Sequence, residues 1–221
     1  MAEASTVERT SDGTLTLFSE RYGEWYSSMH GAGAQSRTVF LEATGTHLHP
    51  FAQVLEIGFG LGLNFRTTLT SAEERGAALS YLAYEAFPLA ASALAQVAAG
   101  ETHPLWTALL GAWDAGTKVG QLHLQHGQYE VRVEFADASA ALLPRQWASA
   151  IYLDGFSPAK NPEIWTPDFL ARLADSLAAG GALATYSAAG AVRRSLLAAG
   201  LAAKRRRGLV GKREFLVAHK P

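Results

Sequence analysis

The feature that most constrains this fold is a short apolar run that leads directly into a glycine-rich loop. Residues 53–57 have the length and composition of a buried strand, and Gly58, Gly60 and Gly62 follow at alternate positions. Glycines there let the backbone approach a ligand closely and let a helix start tightly against the sheet. A dinucleotide-binding fingerprint would need its third glycine at position 63, which is leucine, and no Gly-Lys-Ser/Thr phosphate loop follows. A dehydrogenase is therefore the weakest function considered, and a P-loop is excluded.

The rest of the chain alternates between strand and helix patterns. Strands are predicted at 79–85, 129–135, 149–153 and 182–186. Helices are predicted from the loop to about 75, after Pro88, at 103–113, from Pro167 to the glycines at 180–181, and at 188–198. Segments 201–207 and 214–218 pair best as a closing hairpin around the loop 208–211. This alternation predicts an α/β fold with a mostly parallel sheet, helices on both faces and an antiparallel edge.

The first 52 residues stand apart from this alternation. Segments 14–18 and 38–41 are interpreted as short strands of an N-terminal appendage, which packs on a main domain spanning residues 53–221. The length of 221 residues is enough to bury a substantial core.

Composition excludes several classes of protein. The chain has no cysteine, which removes disulfides, thiolate zinc sites, iron–sulfur clusters and a catalytic thiol. Its seven histidines show no convincing ligand spacing, so no metal is expected. The N-terminus is polar and acidic, and no apolar stretch of about 20 residues occurs, so neither a signal peptide nor a membrane span is expected. We expect a soluble cytoplasmic protein.

The formal net charge of −1 hides a strongly basic segment near the C-terminus. Eight of the 19 lysines and arginines lie between positions 193 and 213, with no acidic residue among them. They form what we call the basic strip: Arg193, Arg194, Lys204, Arg205, Arg206, Arg207, Lys212 and Arg213. A solvated surface is one interpretation, and a face that binds a polyanion is the other. In an alternating strand Lys204 and Arg206 share one face and Arg205 and Arg207 the other, so one pair alone is expected to join a single RNA surface fully.

Acidic residues stand at the ends of the predicted strands, close to the glycine-rich loop. Glu56 precedes the loop, Glu85 ends the second strand and Asp137 follows the third. Because ligands of doubly wound sheets bind at the carboxyl ends of the strands, Glu85 can accept hydrogen bonds from ribose hydroxyls and Asp137 from an adenine amino group. Asp154 follows the fourth strand, where a carboxylate can orient an amine and favour loss of its extra proton. Turn capping is the alternative for Asp154.

Longer blocks carry a family resemblance. The loop with its preceding Glu56 resembles motif I of class I S-adenosylmethionine methyltransferases. The blocks Leu-Glu-x-Gly-Phe-Gly-x-Gly-Leu-Asn-Phe at 55–65, Asp-Gly-Phe-x-Pro-Ala-Lys-Asn-Pro-x-x-Trp at 154–165, Leu-Ala-Thr-Tyr at 183–186 and Gly-Lys-Arg-Glu at 211–214 are similar to the methyltransferase half of MnmC. MnmC enzymes are bifunctional bacterial proteins that finish the wobble uridine of certain tRNAs. The resemblance covers roughly residue 17 to the C-terminus.

This resemblance implies a Rossmann-like class I fold that uses S-adenosylmethionine to convert 5-aminomethyl-2-thiouridine to 5-methylaminomethyl-2-thiouridine. It implies that Asp154 is the catalytic residue facing the aminomethyl group. Cofactor contacts are implied for Glu56, Gly58, Phe59, Gly60, Gly62, Asn64, Glu85 and Asp137. Contacts with the tRNA anticodon arm are expected from Phe156, Lys160, Arg193, Arg194, Lys204, Arg206, Lys212 and Arg213. No second glycine fingerprint for the family's flavin-dependent half is found, so the chain is expected to resemble the stand-alone form, without flavin.

Other functions stay open on the sequence alone. An aminopropyltransferase such as spermidine synthase, or a small-molecule methyltransferase, fits the same fold but leaves the basic strip without a role. A non-catalytic RNA-binding module fits the strip but leaves Asp154 and the glycine-rich loop without one. The sequence is compatible with a monomer.

Overall fold

The structure is a computed structural model that describes residues 6–208 and 214–221. The strands in this part of the chain are β1 (Val7–Arg9), β2 (Leu15–Ser19), β3 (Glu24–Trp25), β4 (Phe51–Ile57), β5 (Ala78–Tyr84), β6 (Gln121–His126), β7 (Tyr129–Glu134), β8 (Ala148–Leu153), β9 (Leu177–Thr185), β10 (Ala202–Arg207) and β11 (Glu214–His219). The α-helices are α1 (Ala32–Gln35), α2 (Leu63–Arg75), α3 (Ala91–Val97), α4 (Pro104–Val119), α5 (Pro167–Ser176) and α6 (Gly190–Ala198). A π-helix, Ser36–Glu42, continues α1, and 3₁₀ turns occupy Thr46–Leu48 and Pro162–Trp165.

The main sheet has the strand order β10-β11-β9-β8-β4-β5-β7-β6. Its five central strands, from β9 to β7, are parallel, while β11 and β10 at one edge and β6 at the other run antiparallel to their neighbours. The chain moves from β4 outward to β5 and β7, and then returns to the other side of β4 with β8. This reversal makes the crevice between β4 and β8 the position where such sheets bind ligands. The predicted fold class is confirmed.

Helices cover both faces of the sheet, because the central strands are apolar on both sides. On one face α2 and α4 bury Phe65, Trp106 and Trp113 against the sheet. On the other face α5 and α6 bury Leu170 and Leu196. Two opposite hydrophobic layers therefore hold the carboxyl ends of the parallel strands in register.

Three parts of the chain differ from the sequence predictions. The strand predicted at 38–41 is wrong: these residues lie in the π-helix, which turns Val39 and Phe40 into the core layer next to α2. Strand β6 was not predicted, because it is an edge strand in which Leu122 is the one buried residue and periodicity is weak. Helix α5 ends at Ser176, so the glycines at 180–181 lie within β9 rather than closing the helix. The predicted hairpin strands are present as β10 and β11, and residues 209–211 of the predicted loop lie outside the described residues.

The N-terminal strands form a separate antiparallel sheet in the order β1-β2-β3. Leu17 of β2 packs with Leu61 of the glycine-rich loop and Val97 of α3, so this small sheet rests beside the ligand-binding edge. The division into an appendage of residues 1–52 and a main domain of residues 53–221 stays a prediction. Within the described ranges, none of the helices has the length and apolar character needed to cross a membrane.

Candidate active site

A cavity of about 700 Å³ lies at the carboxyl ends of the central parallel strands. Nine of the residues predicted for the site are in its wall: Gly58, Phe59, Gly60, Asn64, Glu85, Asp137, Asp154, Phe156 and Lys160. Four neighbouring strands each contribute at this edge: Asp154 follows β8, Gly58 follows β4, Glu85 follows β5 and Asp137 follows β7. Since adjacent strands lie about 4.8 Å apart, the row suits an elongated ligand such as a nucleoside that carries a side chain.

The glycine-rich loop leaves β4 in a conformation that side chains disfavour. Gly58 has a φ of 90°, and a Cβ on it would lie 2.8 Å from the backbone carbonyl oxygen of Asp154. Gly60 has a φ of 53° and also lies in the cavity wall. Gly62 has a φ of 69°, and a Cβ on it would lie 2.8 Å from the ring of Trp106. Gly58 and Gly60 thus form a backbone cradle, whereas Gly62 lets α2 start against the core.

Glu85 stands directly after β5, half-buried in the cavity wall. Its Oε2 accepts a hydrogen bond from the Gly60 N–H at 2.8 Å, and its Oε1 accepts one from the Phe87 N–H at 2.9 Å. Burial raises the pKa of this carboxyl, and the two N–H groups oppose the shift. Each carboxylate oxygen has a second lone pair for a further donor, so the geometry fits a pair of ribose hydroxyls.

Asp137 lies beyond β7, exposed at the far end of the same row. Its Oδ1 accepts a hydrogen bond from the Ser139 N–H at 2.8 Å, which fixes the carboxylate in the turn. The carboxylate is an acceptor on the cavity side of the turn, as an adenine amino group requires.

Asp154 follows β8 and is partly buried beside the glycine-rich loop. Burial raises the pKa of its carboxyl to about 7, while the hydrogen bond that Asn64 Nδ2 donates to Oδ2 at 2.6 Å opposes the shift. Tyr186, at the end of β9, donates its hydroxyl to the Gly155 carbonyl at 2.9 Å and closes the wall nearby. A carboxyl with a pKa near neutrality can exchange a proton with a substrate under physiological conditions.

Two of the predicted cofactor residues are not in the wall that the described residues form. Glu56 is fully buried behind it, where Oε1 accepts from Asn64 Nδ2 at 2.9 Å and Oε2 accepts from the Tyr81 hydroxyl at 2.9 Å. Burial raises the pKa of Glu56 well above its ordinary value, and the nearby charge of Asp154 adds to this. The reason is strand alternation: Ile57 reaches the cavity, so the preceding side chain points into the interior. Gly62 is the second residue outside the wall, because the ring of Trp106 occupies the space beside its Cα.

The N-terminal segment covers the cavity with residues for which sequence reasoning gave no role. Tyr22 stacks on Phe156 with ring centroids 4.1 Å apart, and Tyr26 meets the same ring edge-on at 5.1 Å. Glu24 accepts hydrogen bonds from the Ser157 N–H at 3.1 Å and the Ser157 hydroxyl at 2.5 Å. Tyr22 lies in a turn and Glu24 in the two-residue strand β3, so no periodic pattern in the sequence marks these residues.

The cavity wall carries more acid than base. Its carboxyl groups are Glu24, Glu85, Asp137, Asp154 and Glu163, whereas its lysine and arginine side chains, among the described residues, are Arg21 and Lys160. The guanidinium of Arg21 lies 3.8 Å from the centroid of the Phe87 ring, at the rim. A cavity of this charge favours positively charged ligands, such as a sulfonium or an ammonium group.

The described members of the basic strip lie outside the cavity, and the structure divides them between two faces of the sheet. Lys204 and Arg206 stand opposite Val217 and Phe215 of β11, on the face covered by α2 and α4. Burial, and then the positive charges of Arg206 and Lys204, lower the pKa of His219 on that face.

The remaining members of the strip point elsewhere. Arg205 lies on the α6 side, where its Nη1 is 3.6 Å from Glu214 Oε2. Arg193 and Arg194 belong to α6 itself and so do not share the face of Lys204 and Arg206. Lys212 and Arg213 lie outside the described residues.

The residues present fit a nucleoside-type methyl donor. Gly58 and Gly60 present bare backbone in the cavity wall, Glu85 offers two oxygen acceptors, and the wall has the charge that a sulfonium favours. Within residues 6–208 and 214–221, no group of three or more histidine, aspartate or glutamate side chains is placed to hold a metal ion.

Comparison with known proteins identifies the class. Residues 100–221 match the profile of a family described as S-adenosyl-L-methionine-dependent methyltransferase. This match spans more than half of the chain, and the chain belongs to that family. It is therefore an S-adenosylmethionine-dependent enzyme that transfers a methyl group, as the sequence predicts.

The chain's relatives narrow the class further. It is 38% identical over 219 residues to the tRNA 5-methylaminomethyl-2-thiouridine biosynthesis bifunctional protein MnmC of Aromatoleum aromaticum, covering 93% of this chain and 34% of that protein. The MnmC of Paracidovorax citrulli is 39% identical over 217 residues, with 92% and 34% covered. The chain thus spans about a third of the length of the curated relatives it matches, and the predicted resemblance to the methyltransferase half of MnmC is confirmed.

Solved structures agree with this placement. The crystal structure of MnmC2 from Aquifex aeolicus has a TM-score of 0.77 at 25% identity, covering 99% of this chain and 72% of that one. Spermidine synthase from Thermotoga maritima has a TM-score of 0.57 at 14% identity, covering 98% and 72%, which shows a shared fold and no more.

Proposed function

We propose that this methyltransferase acts on the aminomethyl nitrogen of 5-aminomethyl-2-thiouridine at the wobble position of tRNA. The observation that carries the proposal is Asp154, a partly buried carboxyl in the same cavity as the glycine-rich cradle. The names of the MnmC relatives specify the biosynthesis of 5-methylaminomethyl-2-thiouridine in tRNA, and they supply the acceptor. An amine acceptor also suits the acidic wall.

The methyl donor would be held along the row of strand ends. Glu85 would accept hydrogen bonds from the ribose hydroxyls, Asp137 from the adenine amino group, and the backbone at Gly58 and Gly60 would lie against the ligand. When bound, S-adenosylmethionine supplies an electrophilic methyl group, whose bond to sulfur breaks as the bond to nitrogen forms. Glu56 and Gly62 would support this site from behind, since they do not line it in the described structure.

Asp154 would act on the amine. An alkylammonium has no lone pair, so one proton must leave before the nitrogen can attack the methyl carbon. The Asp154 carboxylate can accept that proton, or a hydrogen bond that turns the lone pair toward the donor, and positioning of this kind supplies much of the acceleration. A pKa of about 7 leaves a large ionised fraction at neutral pH.

The uridine ring would be held by the aromatic cluster at the mouth of the cavity. Phe156 is fixed from one side by Tyr22 and at its edge by Tyr26. A ring held in this way presents a rigid apolar surface to a pyrimidine, whose stacking is typically worth about 1–3 kcal/mol. Lys160, exposed at the rim, would reach an adjacent phosphate.

The direct test is methylation in vitro. The purified chain is incubated with methyl-labelled S-adenosylmethionine and tRNA that carries 5-aminomethyl-2-thiouridine, and the digested nucleosides are analysed by mass spectrometry. We expect label in 5-methylaminomethyl-2-thiouridine, no label with tRNA lacking the aminomethyl group, and none with the diamine putrescine. Methyl-labelled putrescine without labelled tRNA would favour a small-molecule methyltransferase on the same fold. Binding of tRNA without any transfer would favour the non-catalytic module.

The RNA-binding surface needs its own test, because the basic strip occupies two faces. The double variants Lys204→Ala/Arg206→Ala and Arg193→Ala/Arg194→Ala separate those faces, and Arg145→Ala removes an exposed arginine elsewhere as a control. Phosphates that are neutralised by lysine or arginine release counterions. The double variant on the face that contacts tRNA should therefore weaken tRNA binding. It should also reduce the slope of the logarithm of the binding constant against the logarithm of the salt concentration by about one to two. Wild-type affinity and slope in both double variants would show that the anticodon arm binds elsewhere.

A further inference from the structure

One side-chain amide joins two carboxyl groups beside the cavity. Asn64, in the first turn of α2, donates from Nδ2 to Asp154 Oδ2 at 2.6 Å and to Glu56 Oε1 at 2.9 Å. We call Glu56, Asn64 and Asp154 the amide bridge. A primary amide has two N–H bonds, and the bridge uses both of them on carboxyl oxygens.

The bridge is anchored on the side away from the cavity. Glu56 is fully buried, and its second oxygen accepts the Tyr81 hydroxyl at 2.9 Å. The backbone carbonyl of Asn64 accepts the hydroxyl of Thr68 at 2.7 Å. Asn64 is therefore held through both its backbone and its side chain, and it has little freedom to rotate.

Glu56 also determines which end of the Asn64 amide faces Asp154. Both Glu56 oxygens act as acceptors, Oε1 from Asn64 Nδ2 and Oε2 from the Tyr81 hydroxyl, so Glu56 selects the NH₂ end of the neighbouring amide. With the nitrogen placed between the two carboxyls, Asp154 meets a donor instead of a carbonyl oxygen, which would repel it. Among residues 6–208 and 214–221, the hydrogen bond to the Asp154 carboxyl is on Oδ2, so Oδ1 is available to the substrate.

We propose that Asn64 is a positioning residue that aims Asp154 at the substrate amine, and that Glu56 orients Asn64 from behind. This role differs from cofactor binding, which the resemblance implied for both residues. The inference rests on the proposed function, because it assigns work to Asp154 in the transfer step.

The bridge has a consequence for how the rate depends on pH. Burial raises the pKa of Asp154, and the hydrogen bond from Asn64 opposes this by stabilising the ionised form. Loss of that donor should raise the pKa further, so less carboxylate is present at neutral pH. Raising the pH restores the carboxylate, and the deficit of the variant should shrink accordingly.

The test compares wild type with Asn64→Leu, which has a similar shape but no donor, and Asn64→Ser, whose hydroxyl is shorter. Turnover of aminomethyl-containing tRNA is measured from about pH 6 to pH 9 with saturating S-adenosylmethionine, and cofactor affinity is measured by calorimetry. At pH 7 we expect turnover to fall about 10- to 100-fold, the scale of a hydrogen bond to a charged group. The ratio of wild-type to variant turnover should decrease toward pH 9, while the Kd for S-adenosylmethionine stays within about twofold.

Ser71→Ala is the matched control, since Ser71 is buried on the same helix two turns further along. It should leave the pH profile of turnover unchanged. Glu56→Gln should lose less than Asn64→Leu, because its amide oxygen still accepts from Asn64. The double variant Glu56→Gln/Asn64→Leu should lose no more turnover than Asn64→Leu alone, since both changes act through one set of contacts.

The outcomes separate the inference from the proposed function. If wild type does not methylate the tRNA, the proposed function and the role of Asn64 that rests on it are both refuted. If wild type is active and the wild-type to variant ratio is flat across pH in both Asn64 variants, Asn64 has a merely structural role and the inference is overturned. If the affinity of an Asn64 variant for S-adenosylmethionine falls by tenfold or more while turnover is unchanged, Asn64 binds the cofactor and does not position Asp154. Asn64→Ser keeps the test decisive if Asn64→Leu does not fold.

Discussion

Replacing Asp154 with asparagine should make the enzyme slower and, above about pH 7, more stable. The carboxyl has an ordinary pKa of 3.8 in the unfolded chain, and burial raises it to about 7 in the folded protein. Between these values the folded state binds more protons than the unfolded state does, so the free energy of unfolding decreases as the pH rises. Asparagine carries no charge and escapes this loss, while its side-chain oxygen can still accept from Asn64.

The magnitude follows from the two pKa values. A difference of about 3 pH units corresponds to about 4 kcal/mol, which is an upper bound because the protein can relax and water can reach a partly exposed group. Burying the asparagine amide offsets part of the gain, so we expect about 2–3 kcal/mol at pH 8. For a chain of this length, that amounts to an increase in Tm of roughly 5–10 °C. The gain should shrink as the pH falls from about 7 toward 4.

The assay is urea unfolding of wild type and Asp154→Asn at pH 8 and pH 4.5, together with turnover at pH 8. Turnover should fall about 100-fold, the scale of general-base catalysis. Asp175→Asn, which alters an exposed carboxyl, serves as the control and should show no such pH-dependent gain. A variant that is no more stable than wild type at pH 8, or equally stabilised at both pH values, would refute the link between burial and the state of Asp154.

Three further perturbations test other parts of the site. Glu85→Ala should weaken S-adenosylmethionine binding about tenfold or more in calorimetry, because on the proposed function it removes the acceptor of two ribose hydroxyls. An unchanged Kd in a folded variant would contradict the ribose assignment. Gly58→Ala should lower the free energy of unfolding by about 1–3 kcal/mol and reduce turnover, because its Cβ would lie 2.8 Å from the Asp154 carbonyl oxygen in a residue with positive φ. A variant as stable as wild type in thermal melts would argue against this close approach. Glu24→Ala should accelerate hydrogen exchange at β3 about tenfold by releasing Ser157, with exchange in β4 as the internal control, and equal rates in wild type and variant would show that this contact does not hold the segment.

The sequence was sufficient to predict the strand-end geometry. Strand–helix alternation defines a parallel sheet, and a parallel sheet brings residues that follow its strands to one edge, so Glu85, Asp137 and Asp154 could be grouped without coordinates. Glu56 shows where this reasoning stops. It is adjacent in sequence to the cavity, but side-chain direction within a strand decides whether a residue faces a ligand or the interior.

Residues that approach the site from distant parts of the chain could not be located in this way. Glu24 binds Ser157 across 133 positions, and the stacking of Tyr22 on Phe156 spans a similar separation. Such contacts depend on how the N-terminal sheet docks, which local patterns do not specify. The π-helix at 36–42 also depends on tertiary packing. Its Val-Phe-Leu run favours a strand, but packing against α2 overrides that local propensity.

The separation of charge between cavity and surface gives a physical reason why, on the proposed function, the two parts of the RNA would bind at different places. The cavity wall carries Glu24, Glu85, Asp137, Asp154 and Glu163, which attract a sulfonium and an aminomethyl cation but repel phosphate. The basic strip on β10 and α6 has the opposite preference and lies outside the cavity. On the proposed function, the tRNA backbone stays on the outer surface while one base enters with its amine. Added salt should therefore weaken tRNA binding much more than transfer within the bound complex, because the reacting groups lie where counterions are largely excluded.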